Sequence, residues 1–257
     1  MPDLTYRGVV AATWRVFRLL DLRITVEGDE RVPARGAAVL VCNHTGYLDF
    51  ALAGLAARRS DRLVRFMAKS GTFDVPVLGA AMRAMRHVPV DRLQGAGAYR
   101  RASRELERGE VVGVFPEATI SRSWSLKPFR PGAAALARAH GVPLVPVVVW
   151  GGHRVLTVDG RRATRRGIPV TVLVGEPFVP GPTDDLDAVG TELRTRMQAL
   201  LDRAQGAYPD VPRHDADRWW LPAALGGTAP AADEAARLDA AALDRLAART
   251  ARRGGRR

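Results

Sequence analysis

The chain has 257 residues, of which 47 % are hydrophobic, and a formal net charge of +12 with a pI near 11.1. This length can bury a sizeable core, and the charge favours an anionic partner: nucleic acid, an anionic membrane surface or a phosphorylated small molecule. A single cysteine, Cys42, excludes an internal disulfide and a cysteine-rich metal site. No run of about 18 apolar residues occurs, so we expect no bilayer-spanning helix, and charges interrupt the apolar runs near the N-terminus, unlike a signal peptide.

The N-terminal segment has the composition of an interfacial helix. Residues 5–20 mix aromatic and aliphatic residues with arginines, which suits a helix that lies on a membrane surface or caps an apolar groove. An ordinary amphipathic docking helix is the alternative. The expected organisation is an N-terminal amphipathic helix at 1–20, an α/β domain at 21–208, and a C-terminal extension with a helix and a basic tail at 209–257.

After a short alternating strand at 23–27, the stretch 39–49 combines a strand, a polar turn and the start of a helix. His44 lies in the turn, and Asp49 follows five positions later. A histidine with an ordinary pKa of about 6.5 can accept a proton at neutral pH, and a carboxylate on its second ring nitrogen would fix its tautomer. The pattern predicts a general base that acts on a substrate hydroxyl. Chance can also produce this spacing, and the alternative is a turn histidine beside a helix N-terminal aspartate.

Strands alternate with helices through the rest of the core. Strands are predicted at 63–68, 87–90, 111–115, 144–150 and 170–174, and helices up to about 57 and 85 and at 95–108, 131–139 and 184–204. This alternation predicts an α/β layered domain. Pro146 lies inside the strand 144–150, which predicts an edge strand or a bulge there.

Beyond about residue 209, prolines interrupt the chain and its character changes. Trp219 and Trp220 belong to an apolar cluster that suits either membrane contact or packing of the C-terminal segment onto the core, and packing is the favoured interpretation. A helix pattern at 231–250 precedes a basic tail that we expect to be disordered.

Polar side chains follow three of the predicted strands. They are Asn43 to Asp49, Asp91 with Arg92, and Glu117 to Arg122. In α/β sheets, ligands bind outside the carboxyl ends of the strands. A base, a carboxylate that orients it and guanidinium groups for an anion together suit the transfer of an acyl group to a hydroxyl on a phosphate-bearing acceptor.

Four sequence blocks, in order over about residues 35–180, resemble the 1-acylglycerol-3-phosphate (lysophospholipid) acyltransferase family of glycerolipid acyltransferases. The blocks are Asn43 to Asp49, Lys69 to Gly79 with Val90 to Arg92, Phe115 to Thr119, and Lys127 to Ala133 with Val142 to Val147. Four ordered blocks are far more specific than the spacing of one histidine and one aspartate. The sequence departs from the family pattern at Ala118 and Arg86, where glycine is usual, and at Ile120, where arginine is usual.

The resemblance implies a mixed, mostly parallel sheet flanked by helices, with an N-terminal interfacial helix and a C-terminal helical extension. It implies that His44 takes the proton from the acceptor hydroxyl while Asp49 holds His44 in the right tautomer. Substrate binding would fall to Asn43, Lys69, Arg92, Glu117, Thr119 and Arg122. Among these, the cationic side chains would hold the acceptor phosphate, and Glu117 and Thr119 would order the acceptor glycerol and the surrounding loop.

The same resemblance implies the partners. The donor would be acyl-CoA or acyl-carrier protein as co-substrate, without a metal or further cofactor, and the acceptor a lysophospholipid. The protein would be peripheral or monotopic at the cytoplasmic face of the cell membrane and contact its anionic surface. The alternatives are an acyltransferase with another acceptor, such as a glycolipid or an aminoacyl lipid, a non-catalytic lipid-binding protein on the same fold, and a nucleic-acid binder. The last has only the net charge in its favour, since no recognition motif occurs.

Overall fold

The protein folds around a seven-stranded sheet in a computed structural model that describes residues 2–91, 95–163 and 165–242. The strands within these ranges are β1 (Arg23–Glu27), β2 (Ala38–Cys42), β3 (Val64–Lys69), β4 (Val88–Val90), β5 (Val111–Val114), β6 (Leu144–Trp150) and β7 (Pro169–Val174). Their order across the sheet is β1-β7-β6-β2-β5-β3-β4. Strands β2 to β6 are parallel, whereas β7 is antiparallel to β6 and parallel to β1. The predicted mixed, mostly parallel sheet is confirmed.

Helices flank this sheet, as predicted. They are α1 (Pro2–Leu19), α2 (Asp49–Ala53), α3 (Pro76–Ala84), α4 (Gly95–Glu107), α5 (Gly132–His140) and α6 (Leu186–Gly206). The helix expected to run to about residue 57 divides into α2 and a 3₁₀ turn at Gly54–Ala57, and a second 3₁₀ turn at Ser70–Asp74 precedes α3. Helix α6 begins where the Asp185 carboxylate accepts two backbone N–H bonds from the first turn.

The central strands β2, β5 and β6 are buried along their whole length. Strands that are covered on both faces have continuous apolar sequences, which explains the composition of β2, β5 and β6. Gly113 in β5 has a further role, because a Cβ atom there would lie 2.4 Å from Cδ1 of Phe66. The missing side chain lets the Phe66 ring lie over β5, next to the strand end that carries polar residues.

The prediction of an edge strand at Pro146 is wrong, because β6 lies between β7 and β2. The alternative prediction of a bulge agrees with the pairing, since Val147 pairs with Val174 but Leu144 pairs with Phe178, one position out of register. Pairing of β6 with β7 begins only at Val147, where β7 ends at Val174. The carbonyl of Pro146 accepts a bond from the N–H of Gly175, at 2.8 Å, so this side of the residue faces the end of β7. The proline nitrogen therefore sits beyond the ladder, where no N–H donor is required.

Helix α1 packs into the domain through two buried aromatic residues. Tyr6 and Phe17 are 7 % and 2 % exposed, and the Tyr6 hydroxyl donates to the carbonyl of Val64 at 2.8 Å. Burial raises the pKa of Tyr6 to about 12. Other apolar residues of α1, such as Leu4 and Leu19, remain exposed.

The chain forms two compact units. One contains residues 2–120 and 128–210, and the other contains 121–127 and 211–242, within the described ranges. In the second unit Trp220 is only 1 % exposed, so it is not available for the membrane contact considered for it. Residues 232–242 are helical; the remainder of the predicted helix and the basic tail lie outside the described residues.

Candidate active site

His44 and Asp49 form a hydrogen-bonded pair at the carboxyl end of the central strand β2. Nδ1 of His44 lies 3.0 Å from Oδ2 of Asp49. The Asp49 side chain is fully buried, whereas 23 % of the His44 side chain is exposed. Because Nδ1 faces the carboxylate, Nε2 is the ring nitrogen left for a substrate.

Backbone N–H groups fix the Asp49 carboxylate. Its Oδ2 atom also accepts bonds from the backbone N–H of Thr45, at 2.5 Å, and of Gly46, at 2.7 Å. Charge-assisted bonds of this kind are the stronger ones in proteins. The turn that carries His44 thus also sets the orientation of Asp49, and the first residue of α2 reaches back to close the turn.

Asn43 ties this turn to the neighbouring strand. Its Nδ2 donates to the carbonyl of Val149, at 3.0 Å, and its Oδ1 accepts from the N–H of the same residue, at 2.7 Å. The side chain is 1 % exposed. Both amide atoms are engaged and buried, so this geometry fixes the turn to β6, and the substrate contact of Asn43 stays a prediction. Cys42, just before it, is buried, and burial raises the pKa of its thiol well above the usual range.

Glu117 joins the ends of strands β5 and β2. Its Oε1 atom accepts the backbone N–H of His44 at 2.9 Å, and the residue is 5 % exposed. The ring of Phe115 lies against the His44 imidazole, with 4.4 Å between ring centroids. His44 is therefore held on its backbone by Glu117 and on one ring face by Phe115.

The other predicted site residues occupy different surroundings. Lys69 is exposed at the end of β3, which is parallel to β5, so it belongs to the sheet edge that carries Glu117. Thr119 is half-buried in the turn after β5. Arg122 belongs to the second unit, where its Nε donates to Oδ1 of Asp239 at 2.9 Å. Arg92 lies outside the described residues.

The turn after β5 contains two of the departures from the family pattern. Ala118 has a φ of 60°, in the left-handed region where glycine is favoured. Ile120, at the usual arginine position, is 9 % exposed and thus buried. An arginine at this position would need a partner for its charge, and the apolar side chain removes that need.

Sequence reasoning missed the segment 151–158, which follows β6 and lies against the His44 turn. The carbonyl of Leu156 accepts the N–H of Tyr47 at 3.1 Å, and the Thr157 hydroxyl donates to the carbonyl of Thr45 at 2.6 Å. The only signal in the sequence is the pair of glycines directly after a buried strand, at 151–152.

An apolar groove of about 410 Å³ lies between α1 and the α2 region, and Phe50 forms part of its wall. Phe50 directly follows Asp49 and contacts the ring of Phe66, with 6.4 Å between centroids. Phe66 in turn stacks with Phe115, at 5.9 Å. A continuous series of aromatic rings thus connects the His44 imidazole with the groove.

Two further observations concern the described residues only. No group of three or more His, Cys, Asp or Glu side chains in these ranges is arranged to hold a metal ion. The helices there are too short or too polar for any of them to cross a membrane.

An α/β sheet whose central strand ends in a partly exposed histidine bonded to a buried carboxylate is an arrangement suited to general-base chemistry. Residues 23–150 match the family model described as Acyltransferase. The chain is 30 % identical to the chloroplastic 1-acyl-sn-glycerol-3-phosphate acyltransferases of Brassica napus, over 70 % of this chain and 52 % of that protein, and Arabidopsis thaliana, over 77 % and 54 %. It therefore spans about half the length of these plant relatives.

A bacterial relative is matched over more of its length. The 1-acyl-sn-glycerol-3-phosphate acyltransferase of Bacillus subtilis is 28 % identical, over 72 % of this chain and 92 % of the relative. The crystal structure of the 1-acyl-sn-glycerophosphate acyltransferase PlsC from Thermotoga maritima shares the fold, with a TM-score of 0.68, 24 % identity and coverage of 79 % of this chain and 81 % of that one. The chain belongs to the acyltransferase family.

Proposed function

We propose that this protein transfers a fatty acyl group from acyl-CoA or acyl-carrier protein to the hydroxyl of a lysophospholipid. The proposed acceptor is 1-acylglycerol-3-phosphate, which gives phosphatidic acid in phospholipid biosynthesis. The observation that carries the proposal is the 3.0 Å contact between a buried carboxylate and the Nδ1 atom of a partly exposed histidine. The four ordered sequence blocks and the similarity to 1-acyl-sn-glycerol-3-phosphate acyltransferases of plants and Bacillus subtilis support this choice of substrate.

The reaction needs one base, which first takes up a proton and later returns it to the leaving group. Nε2 of His44 takes the proton of the acceptor hydroxyl, and the oxygen attacks the carbonyl carbon of the thioester. Asp49 stabilises the imidazolium that forms, as the carboxylate does in a serine-protease triad. When the tetrahedral intermediate collapses, the carbon–sulfur bond breaks, and His44 returns its proton to the leaving thiolate. The products are an ester and a free thiol.

The groove beside Phe50 is the proposed site for an acyl chain. Its walls come from α1 and from the region that follows Asp49, and they include Trp14, Phe17 and Leu55. Removal of apolar area from water is worth about 25 cal/mol per Å², so a fatty chain would bind there without polar recognition. Lys69, at the end of β3, and Arg92, which follows β4 in the sequence, are proposed to bind the acceptor phosphate.

Membrane contact is proposed for the exposed apolar residues of α1 and the start of α3. Val77 and Leu78 are 84 % and 45 % exposed, and Leu4 of α1 is 72 % exposed. The net charge of +12 would favour an anionic leaflet. Such a surface supplies amphiphilic substrates directly to the protein.

The test is a transfer assay with an acceptor panel and a fixed acyl-CoA, read as release of free thiol. We expect 1-acylglycerol-3-phosphate to give the highest kcat/KM. His44→Ala should fold normally and lose about 10² to 10⁴ in turnover, the usual contribution of a general base. Near-wild-type turnover of folded His44→Ala would overturn the mechanism.

A different lipid acceptor is the second candidate, and the buried Ile120 motivates it. The residue replaces a guanidinium that could bind a phosphate through two parallel hydrogen bonds. A glycolipid or aminoacyl lipid that outperforms 1-acylglycerol-3-phosphate in the same panel would favour this alternative. Binding of lipids without any thiol release would instead favour a non-catalytic lipid-binding protein.

A further inference from the structure

The Thr45–Gly46 peptide group lies between Thr157 and Asp49. Its carbonyl oxygen accepts the Thr157 hydroxyl at 2.6 Å, and its N–H, on Gly46, donates to Oδ2 of Asp49 at 2.7 Å. A peptide group is planar, so its C=O and N–H point in opposite directions from one rigid unit. A hydrogen bond on one side therefore constrains and polarises the bond on the other.

The orientation of the Asp49 carboxylate depends on hydrogen bonds to only one of its two oxygen atoms. Its three hydrogen bonds, to His44, Thr45 and Gly46, converge on Oδ2, and no donor in the described residues reaches the buried Oδ1 atom. Oδ1 instead faces Gly152, where an added Cβ atom would lie 3.3 Å away. Hydrogen bonds thus orient one carboxylate oxygen, and packing alone confines the other.

The segment 151–158 that supplies Thr157 and Gly152 is itself fixed to the fold. Arg154 is fully buried and forms an ion pair with Asp210, and its guanidinium also donates to the hydroxyl of Tyr208 at 3.3 Å. The Tyr208 hydroxyl donates to the carbonyl of Pro169 at 2.7 Å, at the start of β7. The contact with the His44 turn is close, because a Cβ atom on Gly46 would lie 2.9 Å from Cα of His153.

We propose that Thr157 is a positioning residue for the His44–Asp49 pair. It acts through the Thr45–Gly46 peptide group, which transmits the hydroxyl bond to Oδ2 of Asp49 and so to Nδ1 of His44. Thr157 is fully buried and is not proposed to contact substrate. The effect on turnover rests on the proposed function, whereas the effect on the His44–Asp49 hydrogen bond does not.

The test compares Thr157→Val, which keeps the shape but removes the hydroxyl, with Thr157→Ser, which keeps the hydroxyl. We expect Thr157→Val to lower kcat on the order of 10-fold, the loss associated with one hydrogen bond, with less than about a twofold change in the KM of either substrate. Thr157→Ser should restore most of the turnover. Thr191→Val is the matched control, since it removes a similar hydroxyl-to-carbonyl bond, of 2.8 Å, within α6.

A second measurement does not depend on the activity. The proton on Nδ1 of His44 should give a downfield resonance in the wild type, because it is bonded to Asp49, and this signal should shift upfield or broaden in Thr157→Val but not in Thr157→Ser or Thr191→Val. If the wild type transfers no acyl group but the signal behaves in this way, the proposed function fails and the positioning role stands.

Other outcomes would overturn the role of Thr157. They are an unchanged signal and kcat in Thr157→Val, equal impairment by the serine variant, or a similar loss in Thr191→Val. Should Thr157→Val fail to fold, Thr157→Ala, which also removes the hydroxyl bond to the carbonyl of Thr45, is the second variant. It should lower kcat and perturb the His44 signal while the fold is retained, and wild-type values for both would refute the proposal.

Discussion

The carboxylate of Glu117 accepts the backbone N–H of His44 at 2.9 Å, across the ends of strands β5 and β2. The resemblance implied that Glu117 orders the acceptor glycerol, and the observed contact is with the main chain of His44. It fixes the start of the turn that carries the imidazole. The two strand ends therefore operate as one site, although 73 positions separate them in the chain.

This contact predicts different results for two substitutions of Glu117. Glu117→Gln retains an oxygen that can accept the N–H of His44, so turnover should fall by less than about 10-fold. Glu117→Ala leaves that buried N–H without its acceptor, and turnover should fall by about 10- to 100-fold. Thiol release measured on both folded variants checks this. Equal losses would mean that the charge of Glu117, rather than its hydrogen bond to the main chain, is what matters.

Asp49→Asn should separate charge from geometry. An asparagine oxygen can still accept the N–H groups of Thr45 and Gly46, which now donate to Oδ2 at 2.5 and 2.7 Å. It cannot stabilise an imidazolium, and the loss at the corresponding position of a serine-protease triad is about 10⁴ in kcat. We expect a loss of about 10² to 10⁴ with little change in thermal stability. Wild-type kcat in this variant would show that His44 does not need the carboxylate charge.

Ala118→Gly should stabilise the protein, because the alanine has a φ of 60°. A left-handed conformation costs a residue with a Cβ atom about 1 kcal/mol more than glycine, partly offset by the greater freedom of glycine in the unfolded chain. The free energy of unfolding should rise by about 0.5 kcal/mol. Ala199→Gly, at an exposed position inside helix α6, should instead lower it by about 0.5 to 1 kcal/mol. Urea unfolding of both variants measures these opposite signs.

Arg86 is the second residue at a usual glycine position, and it too is left-handed, with a φ of 57°. It ends helix α3 in a Schellman arrangement, since the N–H of His87 donates to the carbonyl of Met82 at 3.0 Å. Its guanidinium pairs with Glu105 and Glu110. Arg86→Gly should therefore gain less stability than Ala118→Gly, or lose some, because relief of the backbone is opposed by loss of these ion pairs.

His87 should make the protein less stable in acid. Burial, with a smaller contribution from the charge of Arg65, lowers its pKa to about 4, and its Nδ1 accepts the N–H of Phe66 at 3.0 Å. The unfolded chain, with a histidine pKa of about 6.5, binds this proton first as the pH falls. Stability contributed by neutral His87 is present above about pH 6.5 and is lost progressively down to about pH 4, by about 3 kcal/mol in all.

His87→Asn provides the comparison for this effect. The asparagine oxygen can accept the same N–H but does not titrate. The difference in unfolding free energy between wild type and variant should therefore change with pH between 6.5 and 4 and be constant above that range. The exposed His214→Asn serves as control and should follow the wild type. A pH-independent difference for His87→Asn would refute the assignment.

The proposed membrane contact can be tested at Val77 and Leu78. Glutamate at both positions replaces exposed apolar area with charge, and should weaken flotation with anionic vesicles by about 10-fold or more. Val179→Glu, at a residue that is 56 % exposed elsewhere, is the matched control and should bind normally. Deletion of residues 1–20 would be a poorer test, because it removes the buried Tyr6 and Phe17. Equal binding by all proteins would argue against this surface.

The sequence determined the features that depend on local pattern. Apolar runs such as 111–115 and 144–150 identified the central strands, and the order of the blocks around His44 identified the family. Spacing also predicted the pair of His44 and Asp49, because a short turn between a strand and a helix brings its own ends together. The departures from glycine at Ala118 and Arg86 were also visible in the sequence, because a left-handed backbone conformation concerns a single residue.

Only the tertiary structure decided what depends on contacts between distant parts of the chain. Asn43 and Glu117 proved to hold main-chain atoms of neighbouring strands, and Thr157 reached the site from more than a hundred positions away. The order of the strands likewise decided the surroundings of Pro146. This proline is tolerated in an internal strand because β7 ends beside it. Residue type sets what a side chain can bond to, but the packing of the sheet decides which partner is within reach.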